Sequence, residues 1–263
     1  MSAAQRQSVV APVLVCILAL GLWEAMVRIN HIPHYILPAP SLVAQTLWTD
    51  LPSLLPSMWF TIKITAGALL LAVVGGVLIA AVFATSRRIE NAFFPLAIVL
   101  QVTPIVAIAP LILIYIESTT VALLICAFIV AFFPILANTV VGLRSADANL
   151  RDLFTLYGAS PWQRLYLLLV PSALPYFLAG LRIAGGLALI GAVVAEFAAG
   201  AAGRETGLAS RILEASFRTE IPRMFAALVL VSMVGIGIFL IFDWLARRLL
   251  GRWHDTEMHQ SSN

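Results

Sequence analysis

The sequence predicts an all-α membrane protein, a bundle of six spanning helices, on three observations. Only 11% of its 263 residues are charged and 61% are hydrophobic, where a soluble domain carries about 25% charge. The mean hydropathy is +0.99. The apolar runs are continuous for about 20 residues, the length of a spanning helix, and lack the alternation of a barrel strand. Lipid offers the backbone no partner, so only helices and closed barrels can cross it. The net charge of +3 and pI of about 9.2 fit basic loops beside a membrane and require no nucleic acid.

The runs lie at about residues 9–27, 60–85, 92–116, 121–143, 174–198 and 224–250. Arg6 before the first run resembles the start of a signal peptide. The run is long, however, ends in Trp23-Glu24 and offers only a poor cleavage candidate near Gly21, so it reads as a retained helix. Cys16 and Cys126 both fall inside apolar runs and read as small packing residues. Before the second run, Leu42, Val43, Leu47 and Leu51 have helical spacing, with Ser41 as the expected N-cap after two prolines. That segment reads as a short interfacial helix, and Gly207–Phe217 as another. In the second run Gly67, Gly75, Gly76, Ala80, Ala81 and Ala84 form a small-residue packing surface.

The third run carries Pro95, Pro104 and Pro110, with Gln101 and Thr103 near its middle. Each proline removes a backbone hydrogen bond and clashes with the carbonyl four residues back. Polar groups freed at mid-membrane need protein or water beside them. Gln101, Thr103 and Pro104 therefore either line a translocation path or belong to a kinked packing helix. The fifth run carries Arg182 and Glu196, both costly in lipid. They lie 14 residues apart, about 21 Å along a helix and on one face, too far for a direct bond. Either both face the path, or Arg182 reaches one interface and Glu196 the other. Gly185, Gly186 and Gly191 nearby allow close helix approach.

Orientation follows from arginine placement. With the N-terminus inside, the cytoplasmic side holds Arg6, Arg87, Arg88, Arg144, Arg151, Arg164, Arg247, Arg248 and Arg252. The outside holds fewer: Arg28, Arg204, Arg211, Arg218 and Arg223, interleaved with Glu205, Glu214 and Glu220. Both termini are thus expected inside, and so is the segment Leu150–Pro175. That segment is too polar to span. It reads as helix, glycine turn, helix and double-proline stop. Gly158 can take the positive φ that ends the first helix. Ser160-Pro161-Trp162-Gln163 starts the second, with a serine cap, proline at the first position and glutamine completing a capping box. Two short helices at a fixed angle make either a rigid knob that transmits a push or an amphipathic hairpin on the membrane surface.

The same segment resembles the cytoplasmic loop of bacterial ABC-importer permeases: EAA, three residues, Gly, nine residues, I-x-L-P. Here the spacing reads Asp152-Leu153-Phe154, three residues, Gly158, nine residues, Leu168-Leu169-Val170-Pro171. The acid-Ala-Ala triplet is replaced. Leu37-Pro38-Ala39-Pro40-Ser41, Gly180-Leu181-Arg182 and Ala195-Glu196-Phe197 resemble the nitrate/sulfonate/taurine group of these permeases.

The resemblance implies a type I permease core over residues 59–250, with a coupling loop at about 145–173. Residues 1–58 would be an N-terminal unit and 251–263 a polar cytoplasmic tail. It implies a homodimer in a bacterial inner membrane with two ATPase subunits and a periplasmic or lipid-anchored solute-binding protein. Asp152, Leu153, Phe154, Gly158, Ala159, Ser160, Leu168, Val170 and Pro171 would meet the ATPase. The cargo would be a sulfonate, taurine or nitrate-like anion, or a related small organic compound.

The only lysine, Lys63, begins a span and lies in no Gly-Lys-Ser/Thr loop, so ATP and Mg would sit on the partner. The chain contains no His-Glu-x-x-His and no Gly-x-Ser-x-Gly, and its histidines fall outside the spans. An intramembrane enzyme is therefore disfavoured, and no metal site is expected. The remaining rival is an ion- or proton-coupled transporter with Glu196 as the carrier, which would leave the loop without a role.

Overall fold

In a computed structural model of the chain, residues 3–200 and 206–258 are described, with side chains for 11–200 and 206–250. Arg6, Arg204, Glu205, Arg252, His254 and His259 fall outside the described side chains. The described residues form helices joined by short turns and contain no strand.

Helices α1 (Ala3–Ile29), α2 (Pro40–Thr85), α5 (Thr119–Arg144), α8 (Val170–Ala199) and α10 (Ile221–Met258) are the long ones. Each contains a stretch apolar and long enough to cross a membrane. Helices α3 (Arg87–Val102) and α4 (Ile105–Tyr115) pass the same test only together, bent by 96° at the break. Glu90 near the start of α3 pairs with Arg144 at the end of α5. Ala109 in α4 packs with Phe60, Leu123 and Ala195 at the opposite end of the bundle. The pair therefore runs from one end to the other as a sixth, broken span. Short helices α6 (Ala148–Leu156) and α7 (Pro161–Arg164) lie at the first end, and α9 (Leu208–Phe217) at the far end.

Three expectations change. The interfacial helix and second span are one 46-residue helix, α2, that runs through Pro52 and Pro56, so the boundary at residues 58–59 falls inside it. Packing overrides the prolines: Leu47, Leu51, Leu54 and Met58 join Leu208, Ala226, Ala227 and Leu230 in one apolar cluster. The N-cap is Ala39, with Pro40 first in the helix, and Ser41 does not cap. Instead the Glu24 carboxylate accepts the Ser41 N–H at 3.0 Å, so α1 caps α2 from outside. Lastly, Pro171 and Pro175 stop nothing. A π-helical turn at Leu165–Leu169 feeds straight into α8. Its wider turn, closed by the Val170 N–H on the Leu165 carbonyl, accommodates the Pro171 ring that a regular helix would exclude.

The core is α5, flanked by α2 and α8. Ala131, Ile135, Leu136, Ala184 and Ala188 are buried there. An added Cβ at Gly76 would meet Ile135, and one at Gly191 would meet the backbone of Ala127. These are the close approaches expected of small residues. Gly185 abuts Phe242, while Gly186 faces open space.

Candidate coupling loop and translocation path

The loop is built from local rules. The Asp147 carboxylate accepts the N–H groups of Asn149 and Leu150 and so caps α6. At its other end Gly158 has φ +64°. The Ala159 N–H returns to the Phe154 carbonyl at 2.9 Å and the Gly158 N–H to Thr155 at 3.1 Å, a Schellman closure. The next helix starts on a complete capping box: the Gln163 N–H donates to Ser160 Oγ at 3.3 Å, and the Ser160 N–H to Gln163 Oε1 at 2.8 Å. Both termini flanking the turn are therefore closed by their own residues, and the turn has a fixed angle.

The loop is also fastened to the bundle. An Arg151 guanidinium N–H donates to the Arg144 carbonyl at 2.6 Å, with a longer bond to Leu143. Ser145 Oγ donates to the Ser172 carbonyl at 3.1 Å. Leu168 is buried, Leu165 and Leu169 pack against the core, and Phe154 is half-buried. On the outer face Leu156, Tyr157, Trp162 and Tyr166 are between 74% and 84% exposed. Asp152, Leu153, Ser160 and Val170 are exposed beside them, while Ala159 and Pro171 are half-buried. The sequence marks Asp147 only as an acid just before a helix, and Arg151 only as a basic loop residue; the tie to Arg144 carries no local signal.

The break in the third span lies at Thr103-Pro104. Thr103 ends α3 and returns its hydroxyl to the Val99 carbonyl at 2.6 Å; Pro104 precedes α4. A cavity of about 240 Å³ opens there, lined by Gln101, Thr103, Pro104, Ile129, Val130 and Leu187 among others. Its lining residues carry no charge. Arg182 and Glu196 lie elsewhere. Arg182 pairs with Asp243 at 3.2 Å and covers the Phe239 ring, 4.2 Å from its centroid. Glu196 is 1% exposed and held by Thr61 and the Ala209 N–H. Thr61 carried no sequence signal, being one of many hydroxyls on an apolar helix. Among the described residues no three His, Cys, Asp or Glu side chains gather where a metal could bind.

Residues 72–251 match the family model described as "Binding-protein-dependent transport system inner membrane component". The chain is 31% identical over 239 residues to a probable ABC transporter permease protein of Haemophilus influenzae, covering 91% of this chain and 96% of the relative. It is 35% identical to the riboflavin transport system permease RibX of Chloroflexus aurantiacus, covering 90% and 87%. It is 33% identical to the formylaminopyrimidine transport permease ThiX of Halalkalibacterium halodurans, covering 91% and 94%. Aliphatic sulfonate and nitrate permeases are also similar, at 26% and 29% identity. The fold resembles the inward-facing MetNI methionine ABC transporter, with a TM-score of 0.62 at 17% identity, covering 74% of this chain and 95% of that one. The chain therefore belongs to the family of binding-protein-dependent transport system inner membrane components, as a multi-pass ABC-importer permease of the nitrate/sulfonate group and a translocation subunit rather than an enzyme.

Proposed function

We propose that two copies of this chain form the translocation unit of an importer in a bacterial inner membrane, with both termini and the α6–α7 loop in the cytoplasm. The loop docks on a separate ATPase that holds ATP and Mg, and a solute-binding protein delivers cargo at the far end. ATP-driven closure of the ATPases pushes the loop, and the helices rock to alternate access to the cavity at Thr103-Pro104. The observation that carries this reading is a rigid, doubly capped loop with an exposed apolar face, Leu156, Tyr157, Trp162 and Tyr166, tied to the bundle through Arg151. A floppy loop would absorb such a push. The Asp-Leu-Phe triplet presents bulkier side chains than two alanines, so the receiving groove on the ATPase is correspondingly wide.

For cargo, the uncharged wall of the cavity favours a small neutral organic solute. Relatives named for riboflavin and formylaminopyrimidine, each over about nine-tenths of the chain, support the same class. The second reading is a sulfonate or nitrate-like anion, supported by the relatives named for those cargoes. The test is affinity purification of the chain from its native membrane, with mass spectrometry and ATPase assay. It is followed by uptake in vesicles with the co-encoded binding protein and labelled riboflavin, a pyrimidine, taurine and nitrate. Co-purification of an ATPase that is lost on altering Asp152–Gly158 supports the docking site. ATPase-free uptake driven by a proton gradient would overturn the reading.

A further inference from the structure

One buried carboxylate is used by neither the loop nor the cavity. Glu196 lies near the far end of α8 and is 1% exposed. One carboxylate oxygen accepts the Thr61 hydroxyl of α2 at 2.8 Å, and the other accepts the Ala209 N–H of α9 at 2.9 Å. Thr61 Oγ1 in turn accepts the Leu208 N–H at 2.9 Å. Helix α9 follows Gly207, its N-cap residue, which offers no side chain to cap it. Its first two N–H groups are taken instead by side chains of two other helices. A Cβ at Gly207 would overlap the Glu196 carboxyl, so only glycine lets the backbone close over it. Around this point Arg211 donates to Ser57 Oγ at 3.0 Å, and Arg223 pairs with Asp50 at 3.5 Å. A carboxyl group out of water needs hydrogen-bond donors. The arrangement gives each oxygen one and in the same stroke ties three elements to one point.

We infer that Glu196 is a positioning residue that fastens the far-end helix α9 to α2 and α8, so that the three move as one wedge when access alternates. The transport role rests on the importer reading above; the fastening itself does not. Glu196 is not among the residues that line the cavity, so its work is to hold α9 and not to contact cargo there.

The test uses the full transporter complex in membranes. Ala215 faces the bundle at 1% exposure, so Ala215→Cys is protected from a membrane-impermeant maleimide, measured over the parent chain. Glu196→Met keeps the bulk and removes both hydrogen bonds. It is expected to raise labelling at least tenfold and to lower uptake at least tenfold. Glu196→Gln retains an acceptor for Ala209 and a donor for Thr61, and is expected to keep both readouts within threefold of the parent. Should the methionine variant fail to accumulate, Thr61→Val against Thr61→Ser makes the same comparison: only valine loses the hydroxyl. Unchanged labelling in Glu196→Met, or in Thr61→Val where that pair decides, overturns the fastening. Loss of uptake in Glu196→Gln with the cysteine still protected overturns it in favour of an ionising role. Raised labelling with undiminished uptake overturns the transport role.

Discussion

Arg151 in α6 donates to the carbonyl oxygen of Arg144, the last residue of α5, at 2.6 Å. A loop side chain thus closes the end of the most buried helix in the bundle, where unpaired carbonyls otherwise face water. The Arg144 side chain, in turn, pairs with Glu90 on α3. Loop, central helix and broken span meet within one small cluster.

Arg151→Ala removes the tie without touching the exposed face of the loop. A hydrogen bond to a charged group contributes about 1.5–3 kcal/mol, so coupling between loop and bundle should weaken by about tenfold or more. The expected result is ATPase activity that persists while uptake per ATP falls. Arg151→Lys should recover part of the coupling, because one guanidinium nitrogen makes both contacts and an ammonium can stand in for a single donor. Paired measurements of hydrolysis and uptake in proteoliposomes decide it; equal losses in both would mean that Arg151 supports assembly instead.

Gly158→Val tests the turn itself. At φ +64° a residue with a Cβ is strained by about 1–2 kcal/mol, and a β-branched one by more. Nothing lies within 4 Å of the added Cβ, so the effect is one of backbone conformation and not of collision. Uptake should collapse at normal membrane abundance, and Gly158→Asn, which tolerates this region, should recover most of it. A valine variant with full uptake would remove the rigid turn from the mechanism.

The Glu90–Arg144 pair is asymmetric, and the asymmetry is measurable. The Glu90 side chain is 10% exposed and that of Arg144 40%. Arg144→Ala strands a carboxylate inside, which costs about 3–5 kcal/mol. Glu90→Ala leaves a guanidinium that can turn to water, so it should cost about 1 kcal/mol. Unfolding in mixed detergent should rank the two accordingly; equal costs would show that Glu90 is solvated in the assembled transporter.

How much of this was legible beforehand depends on whether the cause was local. The turn at Gly158 and the capping box at Ser160 depend on residues within four positions, and sequence rules placed both. That the third span is disturbed was legible from its three prolines, but the place of the break was not: Pro95 and Pro110 run inside α3 and α4, and only Pro104 lies between them. Pro171 and Pro175 misled because a π turn lets the helix pass through them, and the interfacial helix and second span read as separate because nothing local shows that packing carries α2 through Pro52 and Pro56. Ser41 misled in the same way: its N–H is capped by Glu24, which lies 17 residues away. The partners of Glu196 were out of reach for the same reason, since Thr61 stands 135 residues earlier.

The far-end surface should respond to acid. In α9, the hydrogen bond from Arg211, with Arg218 also nearby, holds the Glu214 carboxyl below its ordinary value against a smaller opposing effect of burial. A carboxylate with a depressed folded pKa contributes stability above its unfolded value and loses it as pH falls through the folded one. Protection of α9 amides from hydrogen exchange should therefore be level above pH ~5 and decline below ~4, near the ordinary range of Glu. Glu214→Gln should lower the plateau and remove the decline. An unaltered decline in that variant would assign it to another group.

The bend at Thr103-Pro104 carries the last prediction. Pro104 has no N–H to give the Leu100 carbonyl, and its ring excludes a straight continuation. The Thr103 hydroxyl adds a second bond, at 2.6 Å, to the Val99 carbonyl that already accepts the Thr103 N–H at 3.1 Å, and so reinforces the last turn before the break. Pro104→Ala supplies the missing donor and removes the ring. Residues 87–115 can then run as one helix, relaxing the 96° bend and closing the cavity that Gln101 and Thr103 line. Spin labels placed in α3 and α4 should move apart, and uptake should fall while the ATPase still co-purifies. Thr103→Val should act in the same direction more weakly, and Thr103→Ser should not. If the label distance lengthens and uptake stays normal, the bend is a packing feature and the path runs elsewhere.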